Sequence, residues 1–165
     1  MALPSGEGYR RTAPTLQERE VRAAAQTDAC VLLTGTRAAV EALAYRIHSL
    51  SAWRFGPFAV IDCAASEDVI QSRLLGQYNR ADALRRRPDR RRSGGTALLH
   101  DVGKLSATFQ AMLAELLSEI RAENNRNGTG RRVITSATEP LWPRVQAGTF
   151  DDRLFYRLNV IQLSA

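Results

Sequence analysis

The fold of this chain is decided at Cys30-Val31-Leu32-Leu33-Thr34, a short and continuous apolar run that ends at Gly35. Such a run is typical of a strand buried on both faces of a parallel sheet. Directly after it, apolar residues recur at the i, i+3, i+4, i+7 spacing of a helix face: Val40, Leu43, Ala44 and Ile47. A buried strand followed by an amphipathic helix begins a βαβ unit, so this stretch predicts an α/β fold.

The same alternation continues along the chain. Thr15 and Glu18 have the spacing of a capping box, which predicts a helix before the first strand. Further strands are predicted at 58–62, 96–100, 132–136 and 158–163, and further helices from Ser66, from Ser106 and around 151–156. The helix from Ser66 carries Val69, Ile70, Leu74 and Leu75. The helix from Ser106 carries one apolar stripe that we expect to belong to the core: Phe109, Met112, Leu113, Leu116, Leu117 and Ile120. The pattern predicts a three-layer α/β/α sandwich with a mostly parallel five-stranded sheet.

Length and composition suit one globular domain. The chain has 165 residues, of which 44% are hydrophobic and 24% charged, enough for one buried core. Residues 1–14 have little apolar periodicity, so we expect a flexible lead-in followed by one domain over 15–165. No apolar run approaches the roughly 20 residues of a membrane span, and the start lacks the pattern of a secretory signal. We therefore expect a cytoplasmic protein.

The charge of the chain is basic and almost entirely arginine. The formal net charge is +6, and Lys104 is the only lysine, which restricts Schiff-base and phosphate-lysine chemistry to that residue. Six arginines crowd one segment: Arg85, Arg86, Arg87, Arg90, Arg91 and Arg92. So many like charges do not pack into a core, so we expect an exposed loop that contacts a polyanion or a protein partner, or is merely solvated.

The candidate site follows from the predicted sheet, because ligands of open parallel sheets bind beyond the carboxyl ends of the strands. The residues that follow the apolar runs are Gly35, Thr36 and Arg37, then Asp62, then His100 and Asp101, then Thr138. A phosphate loop needs several glycines and a lysine, whereas Gly35 to Glu41 keeps one glycine and no lysine. Asp62, His100 and Asp101 together have the composition of a metal site or an acid/base cluster. Polar substitutions without a catalytic role explain the same residues equally well, and we expect no metal. Cys30 and Cys63 lack partners at ligand spacing and are expected to be buried, reduced thiols.

The chain resembles the AAA+ central domain of bacterial sigma-54-dependent transcriptional activators, also called enhancer-binding proteins, from about Leu16 to Leu163. The matching segments are VLLTG at 31–35, IH at 47–48, GPF at 56–58, DCAA at 62–65, LLG at 74–76, GGT at 94–96, VG at 102–103 and FYRLNV at 155–160. They follow the family's order at near-family spacing. The resemblance implies a P-loop NTPase-like fold, the AAA+ large subdomain.

Departures from the family fall on its ATP-handling residues. The resemblance places Val40, before Glu41, where the phosphate loop has its lysine, and that loop is one residue shorter here. It places His100 and Asp101 at the family's Asp-Glu pair, and Asp62 at the asparagine of its NCAA segment.

Other departures concern neighbouring subunits and partners. Of the family's two finger arginines, the resemblance places Asp151 at one and Arg157 at the other, so one is lost and one kept. The family's GAFTGA loop is absent, and the helical lid would follow Leu163, whereas the chain stops at Ala165.

We therefore predict a degenerate, non-catalytic relative: a regulatory or protein-interaction module in transcription regulation or signalling, with no cofactor and an unidentified protein partner. One alternative is a domain that binds ATP, ADP or another nucleotide weakly without efficient hydrolysis. A second alternative is a nucleic-acid binder that contacts the phosphate backbone through the Arg-rich loop. No hexameric ring and no membrane association are expected.

Overall fold

The computed structural model describes residues 15–74, 94–127 and 131–165. The helices are α1 (Leu16–Ala25), α2 (Arg37–Leu50), α3 (described over 67–74), α4 (Ala107–Asn127), α5 (Trp142–Gln146) and α6 (Asp152–Leu158). The strands are β1 (Val31–Thr34), β2 (Phe58–Asp62), β3 (Thr96–His100), β4 (Arg132–Ser136) and β5 (Ile161–Ser164). A short 3-10 turn, Val102–Lys104, follows β3.

The five strands form one sheet in the order β2-β3-β4-β1-β5, and every pair of neighbours is parallel. The predicted α/β/α sandwich is confirmed, and the sheet is entirely rather than mostly parallel. Each crossover returns the chain to the amino edge of the sheet, so the residues after β1, β2, β3 and β4 all lie at the carboxyl edge.

Apolar side chains cover both faces of the sheet in two clusters. One packs α3, α4 and α6 against the sheet and includes Ile70, Leu113 and Leu154. The other packs α1 and α2 against the opposite face and includes Val21 and Ile47. The sheet is therefore covered on both sides, as its continuous apolar strands require.

The capping box at the start of α1 is formed as predicted. The Thr15 backbone N–H donates to Glu18 Oε2 at 2.9 Å, and the Glu18 N–H donates to Thr15 Oγ1 at 3.2 Å. The other end of α1 is held by Arg132, whose guanidinium is almost fully buried and donates to the carbonyls of Ala24 and Ala25. These contacts fix α1 against the first residue of β4.

The last strand was predicted too early. Leu158 ends α6 and is fully buried, and β5 begins only at Ile161. Leu154, Phe155 and Leu158 share one helix face against the core, and that packing outweighs the strand propensity of the sequence that follows.

One stripe position was also wrong. Met112 is 36% exposed, because it lies at the margin of the apolar face of α4. Leu75 lies outside the described residues, as do residues 1–14, so the predicted lead-in is not described. Within the described ranges, no helix is both long and apolar enough to cross a membrane.

Candidate functional site

The turn between β1 and α2 is tight. Gly35 has φ +138°, and a Cβ at this position would lie 3.0 Å from the Ala165 carbonyl oxygen. Glycine adopts this backbone conformation without strain, whereas other residues do not. Thr36 then caps α2, its Oγ1 accepting the Ala39 N–H at 3.4 Å.

Arg37, the first residue of α2, bridges two carboxylates. Its Nη1 donates to Asp62 Oδ2 at 2.7 Å, and its Nε donates to Glu41 Oε1 at 2.9 Å. Asp62 also accepts the Ala64 N–H at 2.9 Å. The Arg37 hydrogen bond and then the Ala64 N–H lower the pKa of Asp62, so this carboxylate stays charged at neutral pH. The cation that follows the β1 turn is thus neutralised by carboxylates of the chain itself.

Val40 points away from this turn. Its side chain is 1% exposed and belongs to the apolar cluster of α1 and α2, together with Val31 and Ile47. Residue 40 therefore contributes packing to the core and offers nothing to a ligand at the turn.

The residues after β3 tie neighbouring strands together. His100 is buried and pairs in register with Asp62 on β2, and its carbonyl accepts the Cys63 N–H at 2.9 Å. Asp101 has a left-handed backbone, with φ 59°. Its N–H donates to Ser136 Oγ at 3.0 Å, and its Oδ1 accepts the Thr138 N–H at 3.3 Å.

These contacts occupy Asp101 and Thr138 in linking the ends of β3 and β4. Across residues 15–74, 94–127 and 131–165, no group of three or more His, Cys, Asp or Glu residues is arranged to hold a metal ion. Both cysteines are free thiols; Cys63 is buried as predicted, whereas Cys30, at the margin of the sheet, is only partly buried. Burial raises the pKa of Cys63 to about 12.

Arg157 lies at the opposite edge of the sheet. It lines a cavity of about 290 Å³ together with Cys30, the residue immediately before β1. We call this space the amino-edge cavity. Arg121 and Arg131 line it as well, and neither was predicted from the sequence as a site residue. The only signal was indirect: Arg121 continues the α4 face of Leu117, and Arg131 precedes a buried strand.

The predicted site residues therefore separate into two places. Eight of them lie at the carboxyl edge of the sheet: Gly35, Thr36, Arg37, Glu41, Asp62, His100, Asp101 and Thr138. Arg157 lies at the amino edge, and Val40 is buried in the core instead. The six arginines from Arg85 to Arg92 lie outside the described residues, so their role remains a prediction.

This arrangement can be compared with known proteins. Residues 10–164 match the Sigma-54 interaction domain. The chain belongs to the sigma-54 interaction domain family. The resemblance found in the sequence motifs is confirmed, and the family is that of the sigma-54 activator ATPase domain.

Curated relatives of this sigma-54 interaction domain are regulators. The chain is 36% identical over 164 residues to the Nif-specific regulatory protein of Sinorhizobium fredii, covering 91% of this chain and 27% of that protein. It is 35% identical over 151 residues to the regulatory protein AtoC of Escherichia coli, covering 84% and 32%. The chain spans about a third or less of the length of these relatives.

Solved structures share the fold of this domain. NtrX from Brucella abortus in complex with ATP matches with a TM-score of 0.67 at 22% identity, over 97% of this chain and 38% of that one. The P-loop NTPase domain of the Sigma-54 transport activator from Escherichia coli matches with a TM-score of 0.60 at 17% identity, over 89% of both chains. These matches confirm the P-loop NTPase-like α/β architecture.

Proposed function

We propose that this sigma-54 interaction domain is a non-hydrolysing regulatory or protein-interaction module of transcription regulation. The observation that carries the proposal is the Arg37 bridge. Its guanidinium is satisfied by Asp62 and Glu41 at 2.7 and 2.9 Å, beside the turn where a phosphate loop would bind its anion.

Electrostatics supports this proposal. Phosphoryl transfer depends on fixed cations and a metal that stabilise charge on the transferring group, and losing such groups singly costs about hundredfold or more in rate. Here a phosphate would approach two carboxylates, and Arg37 would have to leave both of them to meet it. Val40 is buried, and Lys104 lies in the 3-10 turn after β3, on a different loop.

The residues after β3 support the same conclusion. A catalytic acidic pair must hold a magnesium ion and polarise water. Asp101 supplies one carboxylate, already in contact with the Thr138 N–H, and His100 is a buried imidazole that pairs in register with Asp62. We infer that this pair stabilises the sheet edge and does not support turnover.

The first test is ATP hydrolysis by the purified chain with magnesium. We expect no turnover above a blank without protein. A magnesium-dependent rate that disappears in Asp101→Asn but persists in the matched control Asp152→Asn, an exposed aspartate on α6, would overturn the proposal.

The second test separates the nucleotide-binding alternative. A fluorescent ATP analogue should bind the parent chain weakly at best, and Asp62→Asn should strengthen binding because it releases one bond of Arg37 and removes a repulsive charge. Tight binding to the parent, with a large ATP-induced rise in melting temperature, would instead favour a nucleotide-holding domain without hydrolysis.

We further propose that residues 15–165 act as one unit whose partner is a protein, and that this chain alone forms no hexameric ring. Asp151 caps α6 through the Leu154 N–H at 2.9 Å, at a position where the resemblance expects a finger arginine. Light scattering at micromolar concentration should find a monomer or dimer, and a discrete hexamer would contradict the proposal.

A further inference from the structure

We propose that the amino-edge cavity binds a small amphipathic anion, a carboxylate or phosphate monoester carried on an apolar or aromatic body. The cavity measures about 290 Å³ and lies among the start of β1, the second half of α4 and α6. It is remote from the β1–α2 turn, so this inference does not depend on the proposed function.

Two cationic side chains line the cavity without a carboxylate partner. In the described part of the chain, no acidic group lies within ion-pair distance of Arg121 or Arg157. Burial raises the pKa of the Cys30 thiol to about 11, and the charges of both arginines act against that rise. Arg121 and Arg157 thus line the same cavity, in which the acidic lining residue is Asp28.

A third arginine, Arg131, also lines the cavity but is paired with a carboxylate. Arg131 is 7% exposed, and its guanidinium lies 4.0 Å from the Glu123 carboxylate. Its nitrogens are buried, so it does not touch a ligand directly. Because Glu123 offsets the charge of Arg131, the attraction for an anion rests on Arg121 and Arg157.

Apolar side chains make up much of the remaining lining, beside the polar Thr27 and Asn124, and they select the body of the ligand. Leu117 and Ile120 of α4 line one side of the cavity, and Val133 lines another. The Tyr156 ring and Val160, which are 65% and 55% exposed, form its rim. A bare inorganic ion would leave these surfaces unfilled. The volume lies at the small end of ligand pockets, which measure about 300–1,000 Å³, so the ligand is a small molecule.

The probe for this site is phenyl phosphate. Inorganic phosphate is the control that carries only the anionic group, and phenol is the control that carries only the aromatic ring. Two-dimensional NMR of the full chain should detect phenyl phosphate binding with a Kd of about 1 mM or below. Shifts should concentrate at residues 28–30, 117–124 and 156–160. Each fragment should bind at least about tenfold more weakly, because the phosphate contacts the arginines whereas the ring contacts the apolar side chains.

Variants distinguish this cavity from general basicity. Arg121→Gln should weaken phenyl phosphate about tenfold through loss of a charge-assisted contact. Arg126→Gln, an exposed arginine on the same helix, makes the same charge change and should have no effect. Both variants must first match the parent in melting temperature.

A chemical readout completes the test. Saturating phenyl phosphate should slow alkylation of the partly exposed Cys30, while the fully buried Cys63 serves as the internal control. Equal binding by Arg121→Gln and Arg126→Gln, unchanged alkylation of Cys30, or equal affinity for inorganic phosphate would each overturn the assignment. Shifts confined to residues 35–41 would do so as well, since they would place the anion at the other edge of the sheet.

Discussion

Replacing Arg132 with methionine tests how a buried charge stabilises this fold. The guanidinium is 1% exposed, and burial lowers its pKa to about 10. It donates to the carbonyls of Ala24 and Ala25, at 3.3 Å for Ala25, and lies 5.6 Å from the centre of the Trp53 ring. The carbonyls of a helix's last turn have no partner within the helix, so Arg132 satisfies two groups that are otherwise orphaned.

The expected cost follows from these contacts. Leaving a buried carbonyl unsatisfied costs about 1–3 kcal/mol, and two are affected. Methionine fills much of the volume and removes a charge that is expensive to bury, which offsets part of the loss. We expect Arg132→Met to lower the free energy of unfolding by about 3 kcal/mol. In a domain of this size that corresponds to a fall in melting temperature of about 6–12 °C.

Urea denaturation followed by circular dichroism measures this change, with Arg19→Met, an exposed arginine on α1, as the control. The control should shift stability by no more than about 0.5 kcal/mol. Hydrogen exchange should become faster in α1 than in α4, because Arg132 holds the end of α1. A variant as stable as the parent would refute the reasoning and mean that burying the charge costs as much as its contacts contribute.

Three further predictions concern a pH effect, a helix cap and the Arg-rich segment. His48 is buried against Thr96 Oγ1 at 2.8 Å, and burial lowers its pKa; because the unfolded chain then binds the proton first, stability should fall as pH drops below about 6.5. Urea midpoints at pH 7.5 and 5.5 measure this loss of stability, which should be smaller in His48→Gln than in the parent. If the variant lost as much stability as the parent, groups other than His48 would cause the pH effect. Asp151→Ala removes the cap of α6 and should lower the free energy of unfolding by about 1 kcal/mol in urea melts, whereas an unchanged midpoint would mean that the cap adds nothing. If the six arginines between Arg85 and Arg92 contact phosphate backbones, titrations at several salt concentrations should give a log-log slope of about −0.9 per phosphate, and replacing all six with serine should abolish binding; retained binding would clear the segment of that role.

The sequence predicted three of the strands well. The spans 58–62, 96–100 and 132–136 were predicted as they occur, because strands of a sheet covered on both sides read as short apolar runs between polar turns. Leu158 was misplaced because a leucine followed by Val160 and Ile161 fits both a strand and the end of a helix. Only the packing of α6 against the core decides between them.

The candidate site was predictable as a set of positions but not as a set of contacts. The rule for parallel sheets placed Arg37 and Asp62 at one edge, yet their 2.7 Å bridge joins residues 25 positions apart and depends on side-chain conformation. The amino-edge cavity brings together residues near 30, 121, 131 and 157. No local pattern links these segments, because only the tertiary packing of α4 and α6 against β1 makes them neighbours.

The burial of Arg132 has a consequence for how uniquely this sheet assembles. Strands that are apolar on both faces tolerate sliding past one another, because a slip by two residues still presents apolar side chains to each layer. Arg132 opens β4, and in the observed alignment with Thr96 of β3 its guanidinium donates to the two carbonyls at the end of α1. A slipped β4 would leave a charge inside the core with nothing to receive it. We therefore expect Arg132 to specify the register of β4 and to disfavour slipped sheets that an all-apolar strand would permit.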